Sequence, residues 1–159
     1  MAMTTKWLRF LPLFGILTAA RVMAQTGALP WKAGDPPPLV AGLHLGNSRE
    51  RLDSVMGRPT NIQHLGDGAD ALGYDSAGVV VSYARLDGVA IIDLRRRDAG
   101  AIDSIRVGDS FQQVLARWGQ PTTQEADVRM YIVGWWAIVV RVDQKQGCVQ
   151  MLSIGRVAG

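Results

Sequence analysis

Apolar positions along this chain follow two spacings. Around Leu52, Val55 and Met56, and again around Phe111, Val114, Leu115 and Trp118, they recur every three or four residues, as on one face of a helix. Elsewhere, runs rich in β-branched residues at 79–84, 89–94, 130–142 and 148–154 read as strands. Leu86-Asp87-Gly88 is a hairpin signal between two of them, and Gln144-Lys145-Gln146-Gly147 is a turn between the others.

Both helical patterns lie inside a stretch that occurs twice. Gly46, Ser48, Gly57 and Pro59 recur as Gly108, Ser110, Gly119 and Pro121, each displaced by the same 62 positions. In each copy a short apolar run ends at glycine, and Asn47 or Ser48, or Asp109 or Ser110, can cap the first helical turn. Glu50 and Gln112 stand at capping-box spacing from Asn47 and Asp109. Gly57 and Gly119 sit where a left-handed cap would end the helix, and the prolines two positions later prevent it from resuming.

The predicted fold class is therefore α+β. Two tandem helix-plus-antiparallel-meander repeats, at 39–98 and 101–157 within a domain spanning 39–159, would join edge to edge into one sheet with helices on one face. One copy alone would be marginal for independent burial. The other sheet face would be left to solvent or a partner.

Ahead of the repeats, Lys6 and Arg9 flank an apolar run from Leu8 to Ala20, and Val22-Met23-Ala24 has the form of a secretory cleavage site. Residues 1–24 read as a signal peptide, with the cut after Ala24. The run falls short of the roughly 20 residues that span a bilayer, so no stable membrane anchor is expected after cleavage. Residues 25–38, with Pro36-Pro37-Pro38, read as an extended arm. The expected location is periplasmic or secreted.

Export changes the charge argument. Lys6, Arg9 and Arg21 leave with the signal, so the 17 Lys and Arg fall to 14 against 14 Asp and Glu. The basic pI of the precursor then gives no support to nucleic-acid binding. Arg95-Arg96-Arg97 is the one dense basic run and reads as a solvated strand end. Cys148 is the sole cysteine, so no intramolecular disulfide can form.

Candidate chemistry is sparse. Gly108-Asp109-Ser110 is like the start of an esterase motif, but neither His44 nor His64 follows it, and the matching Gly46-Asn47-Ser48 marks it as the repeat's helix-start device. Two histidines and one cysteine do not make an ordinary zinc site, and Asp67, Asp70 and Asp75 do not have EF-hand spacing. No enzyme, metal or cofactor is expected. Strand alternation, counted continuously through 130–142, puts Ile132, Trp136, Ile138, Val140 and Val142 on the core side and Tyr131, Trp135 and Arg141 on the other, with Tyr83 at the matching parity of the first copy. Tyr83, Tyr131, Trp135 and Arg141 are accordingly the candidate partner-binding residues, a mixture typical of binding hot spots.

The repeated unit, apolar-x-apolar-Gly-x-Ser followed by a short helix, Gly-x-Pro and a meander, resembles the SmpA/OmlA superfamily over about 39–157. Its tandem arrangement is similar to that of the β-lactamase-inhibitor-protein family. The resemblance implies a non-enzymatic exported interaction module that holds an unidentified protein partner on its open sheet face, with envelope or outer-membrane maintenance as its setting. The alternative it implies is inhibition of a periplasmic hydrolase such as a β-lactamase or cell-wall enzyme. Two departures stand out: no lipid-accepting cysteine lies at the cleavage site, and the inhibitor family's disulfides cannot form here.

Overall fold

The structure is a computed structural model that describes residues 27–157. The signal peptide read at 1–24, the first two residues of the arm and the last two of the chain lie outside the described residues.

Both copies of the repeated stretch form the same local structure. Val40 and Leu43 bracket a turn at Ala41-Gly42, and Ile102 and Ile105 bracket one at Asp103-Ser104, with all four turn residues at positive φ. Helices α1 (Arg49–Met56) and α2 (Phe111–Trp118) follow. Ser48 and Ser110 are the N-caps, accepting from Arg51 N and Gln113 N at 3.3 Å each. The capping box therefore lies one residue later than the spacing from Asn47 and Asp109 predicts. Gln113 closes it on Ser110, its Oε1 accepting from Ser110 N at 2.8 Å, whereas Arg51 has no acceptor with which to do the same. Asn47 and Asp109 instead fasten the preceding turn, accepting from His44 N and Arg106 N at 2.9 Å each. Gly57 and Gly119 end the helices at φ 73° and 74° with ψ near −150°, a glycine-only conformation rather than the left-handed cap expected.

The described residues also form eight strands, β1 (Asn61–Gly66), β2 (Ala69–Tyr74), β3 (Val79–Ala84), β4 (Gly88–Leu94), β5 (Thr123–Glu125), β6 (Val128–Val133), β7 (Trp136–Val142) and β8 (Val149–Arg156), and one 3-10 turn at Arg97–Ala99. The strands form one antiparallel sheet in the order β1-β2-β3-β4-β8-β7-β6-β5. This corrects the α+β expectation of two tandem helix-plus-meander repeats with helices on one face. The described chain is mostly β, a single eight-stranded sheet with two helices of only eight residues each. The physical reason is the size of the helices. α1 buries only Leu52 and α2 only Val114 and Trp118, too little apolar surface to make a second layer. The strands are also more numerous than expected, because β1 and β5 are wholly exposed and carry no apolar alternation to reveal them.

One face of the sheet carries the core. Leu72, Val81, Ile92, Ile154, Ile138 and Tyr131 lie across it on successive strands, all fully buried. Their cover includes the turn residues Val40, Leu43, Ile102 and Ile105 as well as the helices. The arm contributes too: Trp31 lies edge-on to Trp136, with ring centroids 5.6 Å apart, and Trp136 Nε1 donates to Asp35 O at 2.9 Å. No helix of the described residues is long and apolar enough to cross a membrane.

Asp103 ties the second turn to α2. Its carboxylate accepts from Arg117 Nε and Nη2 at 2.8 Å each and from Trp118 Nε1 at 3.0 Å. The hydrogen bond from Arg117 holds the Asp103 pKa below the ordinary carboxylate value, assisted by the Trp118 indole and opposed by desolvation. A lowered folded-state pKa contributes stability above the unfolded-state pKa, and that contribution is lost as pH falls through the folded value. Asp103→Asn is expected to cost about 1.5–3 kcal/mol in urea unfolding at pH 7, the usual loss for a hydrogen-bonded charge. The difference from the parent should shrink as the pH is lowered through the acid range, and a gap independent of pH would contradict this role. Ser110→Ala should cost about 1 kcal/mol, more than Ser48→Ala, since only Ser110 has a reciprocal partner. Equal losses in thermal unfolding would contradict that asymmetry.

Candidate functional site

The face of the sheet opposite the core carries a trough at its centre. Residues paired across antiparallel strands share a face, so the register defines two rows there. One runs Ser82, Ile91, Gly155, Ala137, Ile132, and the next runs Val80, Asp93, Ser153, Val139, Met130. Along the β4–β8–β7 centre the small residues Gly155, Ala137 and Ser153 make a low floor. Ile91, Val139 and Met130 rise beside it, leaving a groove of about 360 Å³. The space is closely fitted at Gly155, where a Cβ would approach Ile91 Cγ1 to 3.1 Å.

Two polar features mark the groove. Ser153 Oγ donates to Asp93 Oδ1 at 2.6 Å across the seam, and both side chains are largely shielded, Asp93 retaining 18% exposure. Arg95 stands 3.7 Å from Asp93 Oδ2, outside hydrogen-bond range. The second feature is Arg156, which with Val157 lines the groove. Its guanidinium donates to Asp87 O at 2.9 Å and lies 6.0 Å from the Trp135 ring centroid, while Trp135 O accepts from Val157 N at 2.9 Å.

The four candidate contact residues do not share this face. Tyr131 is fully buried on the core side, its hydroxyl donating to Gly119 O at 3.1 Å at the end of α2, and burial pushes its pKa up to about 12. Its ring lies edge-on to Trp118. Tyr83 also belongs to the core side, opposite Val89, where it packs beneath Arg49. Arg141 is on the open face, paired with Asp127 at 3.2 Å, and Trp135 sits in the β6–β7 turn, 48% exposed. The displacement of Tyr131 has a simple cause. Val133 pairs with Trp136 across the two-residue turn Gly134-Trp135, so odd positions before the turn share a face with even positions after it. Counting alternation straight through 130–142 reverses the assignment for β6. Gly134, at φ 62°, was the signal for that turn.

Asp93, Ser153 and Gly155 went unrecognised in the sequence. A lone acid inside 89–94 and a lone serine between Leu152 and Ile154 sit at outward parity, but only the pairing of β4 with β8 brings them together. The arrangement offers hydrogen-bond acceptors and an apolar wall. The two histidines are elsewhere, and His64 pairs with Asp70 toward the β1 edge. Among the described residues no cluster of three or more His, Cys, Asp or Glu could hold a metal ion.

No family model and no curated protein sequence matches the chain. Solved structures do. A cysteine-rich secretory protein from Staphylococcus aureus aligns with a TM-score of 0.62 at 12% identity, covering 82% of this chain and 50% of that one. An extracellular protein containing an SCP domain, from Bacillus anthracis, aligns with a TM-score of 0.60 at 11% identity, covering 70% and 44%. A DUF4309-family protein from Bacillus subtilis gives a TM-score of 0.51 at 11% identity, covering 76% and 86%. The chain spans about half the length of the first two. These likenesses overturn the resemblance to SmpA/OmlA and to β-lactamase-inhibitor-like repeats, because the solved folds that match belong to SCP-domain and DUF4309 proteins. At such identities they establish the shared fold.

Proposed function

We propose that this chain is an exported, non-enzymatic interaction domain that takes a protein partner on the open face of its sheet, at the trough over the β4–β8 seam. The observation that carries the reading is the trough. Its floor of small residues lies between Ile91 and Met130, with Ile132 beyond, on the sheet face away from the core. Exposed aliphatic side chains grouped around a concavity are what a docked polypeptide buries. Trp135 and Arg156, stacked beside one another where Val157 leaves the sheet, supply the kind of anchor that dominates binding energy at such surfaces. Export is supported by the signal-like N-terminus and by the extracellular and secretory proteins among the structural neighbours.

A photo-crosslinking residue at position 132, expressed in cells, should give a discrete adduct with one partner. The same residue at position 86, on the fully solvent-exposed tip of the β3–β4 hairpin, should give none. Ile91→Lys should abolish the adduct while changing stability by no more than about 1 kcal/mol, as expected of an outward strand position. Equal adducts from positions 86 and 132, or none from 132, would contradict the proposal.

A further inference from the structure

We infer that the trough recognises an organic cation, specifically a primary ammonium carried on an apolar chain such as a lysine side chain of the docked segment. The inference rests on the reading of the open face as the docking surface and adds the chemistry that the surface selects.

Asp93 is the centre of the argument. A carboxylate only accepts hydrogen bonds and has about four lone-pair positions. Ser153 fills one of them on Oδ1, and Arg95 forms a long salt bridge to Oδ2 at 3.7 Å from an exposed side chain, without a hydrogen bond, so that oxygen still has both lone pairs open to a donor. The acid lies low in the sheet, with Ile91 and Val139 among its neighbours in the trough wall. A largely shielded carboxylate gains from each further hydrogen bond, and an ammonium entering from the groove supplies on Oδ2 the direct hydrogen bond that the distant Arg95 does not. The other cations lining this side of the sheet are already engaged: Arg156 with Asp87, and Arg141 with Asp127.

The occupied oxygen sets the type of cation. A guanidinium recognises carboxylates through a planar fork that needs both oxygens approached in one plane, and the Ser153 hydroxyl, 2.6 Å from Oδ1, crowds that approach although one lone pair of Oδ1 remains. An ammonium is a compact charge with three donors. It can reach Asp93 Oδ2 and a lone pair of Ser153 Oγ together while its alkyl stem lies along Ala137 and Val139. The groove of about 360 Å³ is near the lower bound of small-ligand sites and has room for one such chain.

Titrating the isotope-labelled full chain with n-hexylammonium, n-hexylguanidinium, n-hexanol and hexanoate, and reading the amide resonances of Ile91, Asp93, Ala137 and Ser153, tests this directly. The ammonium should give saturable shifts at those four residues. The alcohol, the guanidinium and the carboxylate should each bind about tenfold more weakly or worse. Asp93→Asn should weaken the ammonium about tenfold and leave the alcohol unchanged. Equal binding of ammonium and alcohol, an undiminished response in Asp93→Asn, or shifts centred elsewhere would overturn the inference. Should the ammonium fail while the adduct from position 132 persists, cation recognition is wrong and the docking face stands. Failure of both removes the docking face as well.

Discussion

The pairing of β4 with β8 is the constraint on which the rest of the structure depends. Four residues on each strand make it, Ile91–Leu94 against Leu152–Gly155, and it alone joins strands β1–β4 to strands β5–β8. On the core side it stacks Ile92 on Ile154 and Leu94 on Leu152, all without solvent exposure, each worth about 1.5–3 kcal/mol of burial. Without it β4 and β8 would both become open edges, with their hydrogen-bonding groups unpaired and the core divided.

The repeated sequence stretch serves that seam. Gly46 N donates to Val89 O and Val89 N to Asn47 O in the first half. Gly108 N donates to Val149 O and Val149 N to Asp109 O in the second. Each helix-start turn is thus bonded to the start of one seam strand, so the two strands that meet at the centre are each held from the core side. The open side of the same four residue pairs is where the trough forms. Ile92, Leu94, Leu152 and Ile154 packed inward, with the small Gly155 and Ser153 of β8 outward beside Ile91 and Asp93 of β4, give one strand pair two jobs, closure of the core beneath and a concave surface above.

Legibility in the sequence followed the strength of the local signal. The positions of the two helices and the Leu86-Asp87-Gly88 turn were readable because each depends on a few neighbouring residues, whereas the capping box fell one residue later and the helix-ending glycines took another conformation than expected. β1 and β5 were not, since edge strands exposed on both faces show no alternation. Tyr131 was misplaced by a single turn at Gly134-Trp135 that resets the count of faces, and Tyr83 was carried with it. The trough was invisible for a different reason. Gly155, Ala137 and Ser153 are unremarkable small residues until the register lines them up, and Asp93 lies 60 positions from its serine partner. Fold-class reasoning failed in the same way, because a repeat of short helices and meanders does not say whether helices or strands dominate the packing.

Native-state hydrogen exchange on the seam gives the most direct measurement. If β4–β8 pairing holds the sheet together, the slowest amides should be those of Ile92, Leu94, Leu152 and Ile154, all opening with one common free energy equal to that of global unfolding. Seam amides that exchange well before those of β2–β3 or β6–β7, leaving two separately protected halves, would contradict the central place given to this pairing.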